Sequence, residues 1–393
     1  MRRRNFIAVT TQAGALLALP TLWACADERG GGSAPIAGTG LEPLPPSDDP
    51  FDAWQGPPPG VDDIRVIVLS YALLAPNPHN IQPWRVALRG HDTLDIYVEA
   101  ARLLAASDPV YRQVHVGVGA FLELLTMAAS AHGHRAELSY FPEGEYAATA
   151  IEPLPVARVR LVPDDGERAD PLFALVRTRV SHKGAYTGEA LPPGLLRGLT
   201  DGASRPGLRF AYADDRAALD ALGELSIEAM RIDVEGFDRW KETIDTFRLN
   251  DAELLAHRSG TDARGLSAQG IGRELLLSHA PPVLEVAVQQ LRDQAATASA
   301  YAWLASDENT RRAQLEAGRA YVRFNLAAHG AGLGVHPFSQ ALQEYEAMGA
   351  TMARLRSRLG VGAGQTLQMF VRLGRPAGAQ PHSARMRADA FTA

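Results

Sequence analysis

Arg179, Ser181 and Lys183 stand at alternate positions of RVSHK, bringing a guanidinium, a hydroxyl and an ammonium into one short stretch. A guanidinium can grip a phosphate through two parallel N–H bonds, a hydroxyl can add a donor, and an ammonium brings a mobile point charge. On its own the pattern equally describes basic residues on a solvated helix end. Far upstream, APNPHNIQPW (Ala75 to Trp84) sets Asn77, His79, Asn80 and Gln82 among prolines at 76, 78 and 83. Prolines remove backbone donors and push the preceding residue toward extended conformations, so this is a shaped loop rich in hydrogen-bonding side chains and not a helix.

The elements that must position these residues follow from the apolar pattern. Residues 63 to 74 read as a helix leading into the proline loop, and RVSHK reads as the beginning of another helix. WRVALRG and TLDIYVEA read as two strands around a turn containing Gly90 and Asp92. VYRQVHVGVGAFLELLTMAASAHG has the length and spacing of a buried helix ending at Gly133.

That helix has a twin. ASDPVYRQVHVGVGAFLELLTMAASAHG from Ala106 and ASDENTRRAQLEAGRAYVRFNLAAHGAG from Ala305 align without a gap at a separation of 199 residues, matching Asp108 with Asp307, Arg112 with Arg311 and Gly119 with Gly318. The shared Ala-Ser-Asp start predicts a helix cap. A mid-helix glycine costs about 1 kcal/mol against alanine, so its recurrence predicts close approach of another backbone. Two related halves packed about a pseudo-twofold axis follow, an internal dimer. The second half opens with LVRTRVSHKGAY and the strand GLRFAYADD. An insertion over roughly 225 to 300, absent from the first half, is a candidate lid.

A chain of 393 residues, 46% hydrophobic and 21% charged, can bury one large or two moderate cores. The net charge of −6 and the scattered arginines argue against a nucleic-acid partner. Cys25 is the single cysteine, so an intrachain disulfide and a CxxC redox pair are excluded and any redox chemistry resides in a cofactor. HGH at 132 to 134 has no nearby acidic or histidine partner and reads as a helix end, so no metal is expected. No nucleophile elbow appears, which leaves hydrolase chemistry without support.

MRRRNFIAVTTQAGALLALPTLWAC has the charged, apolar and small-residue sections of an export signal, and Arg3-Arg4-Asn5-Phe6-Ile7 resembles the twin-arginine motif. Residues 1–29 are therefore expected to be a signal engaging the twin-arginine translocase. The expected location is the periplasm, with Cys25 a candidate lipid anchor. Residues 30–60, rich in Gly and Pro, read as a disordered linker. The first half then covers 61–165 and the second 166–393.

A flavin mononucleotide site needs cations for a phosphate, hydrogen-bonding groups for the pyrimidine edge, a positive group near N1 and O2, and apolar surface for the ring. The chain has a candidate for each. RVSHK resembles the Arg-x-Ser-x-Arg/Lys signature of the nitroreductase superfamily, and PNPHNIQPW resembles its Pro-Ser-x-x-Asn-x-Gln-Pro-Trp loop. GRAYVRFNLAAHGAGLGVHPFSQ and MFVRLGRP are similar to its central helix and closing strand. The order, the fused halves and the insertion resemble most closely the Acg-type branch of single-chain FMN-binding oxidoreductases.

The resemblance implies an α+β, nitroreductase-like fold whose two fused halves form an intrachain pseudo-dimer with a lid. It implies one FMN per chain, because no second basic triplet or Asn-x-Gln-Pro-Trp loop occupies the reciprocal positions. Arg179 and Ser181 would contact the phosphate, with Arg385 or Arg387 as further partners. Lys183 would sit at the phosphate or near N1 and O2, and Asn77, His79, Asn80 and Gln82 would address the ring or ribityl chain. Asn77 stands where the family usually has serine. Trp84 is expected to pack, and His336 either lines the site or satisfies a turn. The implied activity is transfer of electrons through FMN to a small organic substrate such as a nitroaromatic or quinone, with NAD(P)H as a candidate donor, in a monomer or weak homodimer. The rival is a flavin-sequestering protein with little turnover.

Overall fold

The structure is a computed structural model that describes Leu44 and residues 46–392. The expected signal and Cys25 lie outside the described residues. Ahead of the first helix, the part of the expected disordered linker around Trp54 is packed against the chain. Trp54 is buried within a short 3-10 turn, Asp52–Gln55, its ring stacks on His382 at 4.1 Å, and its Nε1 donates to the Ser383 carbonyl at 2.8 Å. The aromatic in FDAW outweighs the surrounding prolines, because burying an indole stabilises a segment that has little backbone freedom to lose.

The first half runs α1 (Ile64–Ala72), β1 (Trp84–Arg89), β2 (Thr93–Val98), α2 (Arg112–Ala131), β3 (His134–Tyr140) and β4 (Ala157–Pro163). Asp63 caps α1 by accepting from Arg65 N. The expected hairpin forms with Trp84 opposite Val98 and Arg89 opposite Thr93, and the antiparallel sheet has the order β1-β2-β4-β3.

The second half repeats this plan. It runs α3 (Leu195–Ala203), β5 (Leu208–Ala213), the insertion, β8 (Ala300–Ser306), α10 (Arg311–Gly330), β9 (Gly334–Pro337), α11 (Gly349–Arg358) and β10 (Thr366–Gly374). Its sheet order, β5-β8-β10-β9, corresponds strand for strand to the first. The insertion occupies 214–299, where the first half has only the turn at Gly90–Asp92. It contains α4 (Arg216–Glu235), α5 (Phe237–Asp245), β6 (Phe247–Arg248), α6 (Asp251–His257), β7 (Thr261–Asp262), α7 (Arg264–Ala268), α8 (Arg273–Leu277) and α9 (Pro281–Ala296).

The two mid-helix glycines meet the backbone they were expected to meet. A Cβ on Gly119 of α2 would lie 2.0 Å from the Leu315 carbonyl oxygen, and one on Gly318 of α10 would lie 1.9 Å from that of Val116. Leu315 and Val116 are themselves related by 199 residues, so the two contacts map onto each other and mark a local twofold at the helix crossing. The twin arginines also exchange halves. Arg112 donates to the carbonyls of Leu342 and Leu367, while Arg311 donates to those of Val110 and Ala148. Asp108 caps α2 through Gln113 N and Val114 N, whereas in the second half Thr310 takes that role.

The tail corrects the expected boundary of the second half. Beyond Gly374 the chain returns to the first half, where the Phe391 carbonyl accepts from Val86 N at 2.8 Å and Phe391 joins Trp84 in the core. This covers the outer edge of β1, whose backbone groups would otherwise be unpaired.

Candidate functional site

Three residues of the 75–84 loop enter the left-handed region without being glycine: φ is 45° at His79, 54° at Asn80 and 51° at Gln82. Such conformations are strained for L-residues and persist only where the surroundings fix them. Side-chain amides do the fixing. Asn77 Oδ1 accepts from Gln82 N at 2.8 Å, and its Nδ2 donates to the Ala75 carbonyl. Asn80 Nδ2 donates to the carbonyls of Gly260 and Ala384 at 3.0 and 2.8 Å. Gln82 Nε2 donates to the Arg258 carbonyl and its Oε1 accepts from Met386 N.

Gln82 is therefore corrected as a ligand contact. It is fully buried, its amide is engaged at both ends, and it is absent from the cleft wall. Asn77 lines the cleft with its amide committed to the loop. Of the three amide side chains, Asn80 is the one that retains an unpartnered buried atom, Oδ1. Gly117 of α2 lets this loop sit on the helix, since a Cβ there would come within 3.2 Å of Asn77 Cβ.

RVSHK is not a helix start. Residues 179–183 are extended, with Ser181 bridged to Val335 and His182 N donating to the Val335 carbonyl. The physical reason is the spacing itself: alternate residues share one side of an extended chain, whereas in a helix they diverge. Arg179, Ser181 and Lys183 thus line one cleft of about 390 Å³. His182 turns away and its Nε2 meets the Gly378 carbonyl.

Arg179 and Arg385 are 2% and 3% exposed. Each uses one nitrogen on a loop carbonyl, Leu74 and Ala75 respectively, and each leaves Nε and Nη1 without a partner. Burial pushes Arg179 down to about 10; burial, with the Arg179 charge added, pushes Arg385 down to about 9. Both stay protonated at neutral pH. Two buried guanidiniums with orphaned donors in a cleft wall are costly unless an anion satisfies them. Arg387, the other tail candidate, lies away from this cleft, near Asp52.

Lys183, roughly 13 Å along the extended segment from Arg179, opens to water through the cleft, while the protein around it lowers its ammonium below the ordinary lysine value. His79 is lowered to about 4, by burial and then by the Lys183 charge. His336 falls well below its ordinary value through burial and then the charges of Arg372 and Lys183. Both residues are half-buried and line the cleft. The result is a cleft with two guanidiniums in one wall and a lysine with two neutral imidazoles further along.

Four contributors escaped sequence reasoning or were left open by it. Tyr321 of α10 lines the cleft, its hydroxyl accepting from Asn325 Nδ2. Trp54 and His382 form a stacked pair in the same wall. His336 lines the cleft instead of only satisfying a turn. From the insertion, residues 260–262 form part of the wall, and Gly260 N donates to the Asn80 carbonyl while Asn80 Nδ2 returns a bond to Gly260. The only forewarning of Tyr321 was its place one turn after Gly318 on the seam helix. Among the described residues no group of three or more His, Cys, Asp or Glu could hold a metal ion.

Several proteins named as nitroreductases are similar to this chain. A Mycobacterium tuberculosis protein named "Putative NAD(P)H nitroreductase", in strains H37Rv and CDC 1551, is 26% identical over 321 residues, covering 80% of this chain and 86% of the relative. A second protein of that name, acg of strain H37Rv, is 31% identical over 103 residues, 26% of this chain and 29% of the relative. Solved structures similar to parts of the chain include the FMN-dependent nitroreductase NfnB from Mycobacterium smegmatis in complex with NADPH, at 19% identity and a TM-score of 0.34, covering 52% of this chain and 86% of that one. A nitroreductase with bound FMN from Bacteroides fragilis gives 15% identity and a TM-score of 0.33, covering 56% and 96%. No family model matches the chain. The resemblance to Acg-type nitroreductases read from the sequence is borne out by these named relatives.

Proposed function

We propose that the chain is an exported FMN-dependent oxidoreductase of nitroreductase type, holding one flavin across the seam between its halves and passing electrons to a small organic acceptor. The observation that carries this reading is the pair of buried guanidiniums, Arg179 and Arg385, with four N–H-bearing nitrogens unpartnered in a cleft whose further wall carries Lys183. The residues fit FMN. Arg179, Arg385 and Ser181 would hold the phosphate, Lys183 would supply positive charge to the ring, and Asn80 Oδ1 would accept a hydrogen bond from the ligand.

FMN, when bound, supplies the hydride and single-electron chemistry. The chain's own residues bind and orient. Lys183 offers a cation at the water-facing part of the cleft, where it would stabilise negative charge on a bound ring. The amide-braced loop keeps this wall rigid, so that orientation is fixed before binding and not at the ligand's expense.

A second reading, a flavin-sequestering protein with little turnover, is favoured by one observation. The insertion is tied to the loop by reciprocal bonds between Gly260 and Asn80 and by Gln82 on Arg258, which narrows access from that side. Stopped-flow reduction of the FMN-loaded protein by NADH, NADPH and dithionite, followed by mixing with a quinone and a nitroaromatic, decides between them. An oxidoreductase is reduced by a nicotinamide donor and reoxidised by an acceptor; a sequestering protein is reduced by dithionite alone. A protein that does not take up FMN ends both readings.

A further inference from the structure

His336 reaches the cleft from β9 with its ring held by a group that has no part in the binding set above. Arg372 pairs with His336 across the β9–β10 ladder, and Arg372 Nε donates to His336 Nδ1 at 3.1 Å. A guanidinium has donors only, so Nδ1 must present its lone pair and the ring proton must sit on Nε2. Arg372 is completely buried, and its other nitrogens donate to the carbonyls of Gln294, Lys183 and Gly184 at 2.8, 3.0 and 2.7 Å. Its plane cannot turn away without breaking those bonds.

The charged and titratable groups facing the ring are Arg372 from β10 and Lys183 and His182 from the extended 179–183 segment; no acid is among them. A second proton on the ring would set N–H against N–H at Arg372 and add a cation beside two others. Burial first, and then the charges of Arg372, Lys183 and His182, hold the ring well below its ordinary value. Among the described residues, no protein group pairs with Nε2, and the ring is part of the cleft wall. The geometry is that of a neutral donor aimed at a ligand.

We propose that His336 is a ligand-binding residue whose Nε2–H donates one hydrogen bond to a carbonyl oxygen of the bound ring, with Arg372 as the positioning residue that sets its tautomer. The inference rests on the FMN reading and deepens it: the ligand must present a carbonyl acceptor on the part of its ring nearest Lys183, as the pyrimidine ring of a flavin does. Lys183 then contributes charge and His336 direction.

The test uses the full chain labelled with 15N-histidine. Without flavin, His336 should show a protonated Nε2 and a bare Nδ1, with no titration between pH 5 and 8. Adding FMN should shift the Nε2–H resonance. FMN titrations followed by fluorescence quenching should show His336→Leu binding roughly 2- to 12-fold more weakly, the range of one neutral hydrogen bond. His336→Gln, which can place an amide N–H near the ring Nε2 position, should restore affinity to within about 2-fold. Arg372→Leu should let the ring titrate, and because that variant loses several buried bonds, the wild-type tautomer remains the primary measurement. A proton on Nδ1, titration in that pH range, or an Nε2–H unmoved by FMN with wild-type affinity in His336→Leu overturns the proposal. Failure of the wild type to bind FMN at all defeats the flavin reading and this inference together, whereas those other outcomes defeat this inference alone.

Discussion

Adding one methyl group at Gly318 should force the two seam helices apart. A Cβ there would sit 1.9 Å from the Val116 carbonyl oxygen, 2.8 Å from its carbon and 2.9 Å from Ala120 N, all of them backbone atoms on the facing helix. Restoring ordinary contact at 3.4 Å requires about 1.5 Å of separation at the crossing, and a gap half that size already forfeits a good part of the local dispersion attraction. Overpacking of this kind costs about 1–3 kcal/mol, and the upper end applies because no side chain can swing aside. Alanine's better helix propensity returns about 1 kcal/mol, leaving a net loss of about 2 kcal/mol. For a chain of this size that is a fall in Tm of roughly 2–3 °C. Gly198→Ala in α3 is the control, since nothing lies within 4 Å of that position and the exposed helix should gain up to about 1 kcal/mol. Adding Gly119→Ala to Gly318→Ala should cost less than the single Gly119→Ala does, because the first methyl has already opened the crossing. Val116 and Gly117 line the cleft, so FMN affinity should fall with stability. Thermal unfolding in the absence of flavin measures all four chains. If Gly318→Ala raises Tm as Gly198→Ala does, the close crossing, and with it the twofold argument, is wrong.

Arg179→Met and Arg385→Met should move stability and binding in opposite directions. Removing a buried charge with orphaned donors should stabilise the flavin-free chain by about 1–4 kcal/mol, while losing a charge-assisted contact should weaken FMN binding by roughly 10- to 150-fold, as read by calorimetric unfolding and flavin fluorescence. His115 is fully buried, and burial, with the Arg311 charge added, lowers it to about 3. Above its ordinary value of 6.5 it is neutral in both the folded and the unfolded chain; between 6.5 and about 3 only the unfolded chain takes up the proton, so stability is lost as pH falls through that window, by at most about 1.4 kcal/mol per unit. His115→Gln, the residue found at the pseudo-equivalent position 314, should flatten denaturant midpoints measured from pH 7 to 4. Trp54→Ala should cost about 3–5 kcal/mol and release the tail that carries Arg385, so flavin should dissociate faster on dilution than from the wild type.

Much of the architecture was legible because it rests on short-range rules. The hairpin at 84–98 follows from alternation and a turn, and the paired helices follow from a 199-residue repeat whose shared glycines have one economical explanation. RVSHK was misread as helical because its basic character was weighed over its two-residue period, which is the period of an extended chain. The amides of the 75–84 loop were read as facing a ligand, yet three left-handed residues in the loop demanded internal braces, and Asn77 and Gln82 supply them. A sequence shows that an amide is present, not which of two buried demands it meets. Trp54, Tyr321 and the tail's return to β1 depend on contacts across hundreds of residues, for which no local pattern exists.

The central claim, one flavin held across the seam by Arg179 and Arg385 on one side and the braced loop on the other, is tested most directly by counting flavin per chain. After saturation with FMN and removal of excess, the wild type should retain one equivalent, and a chain carrying both Arg179→Met and Arg385→Met should retain almost none. Two equivalents per wild-type chain, none, or full retention by the double variant would contradict it.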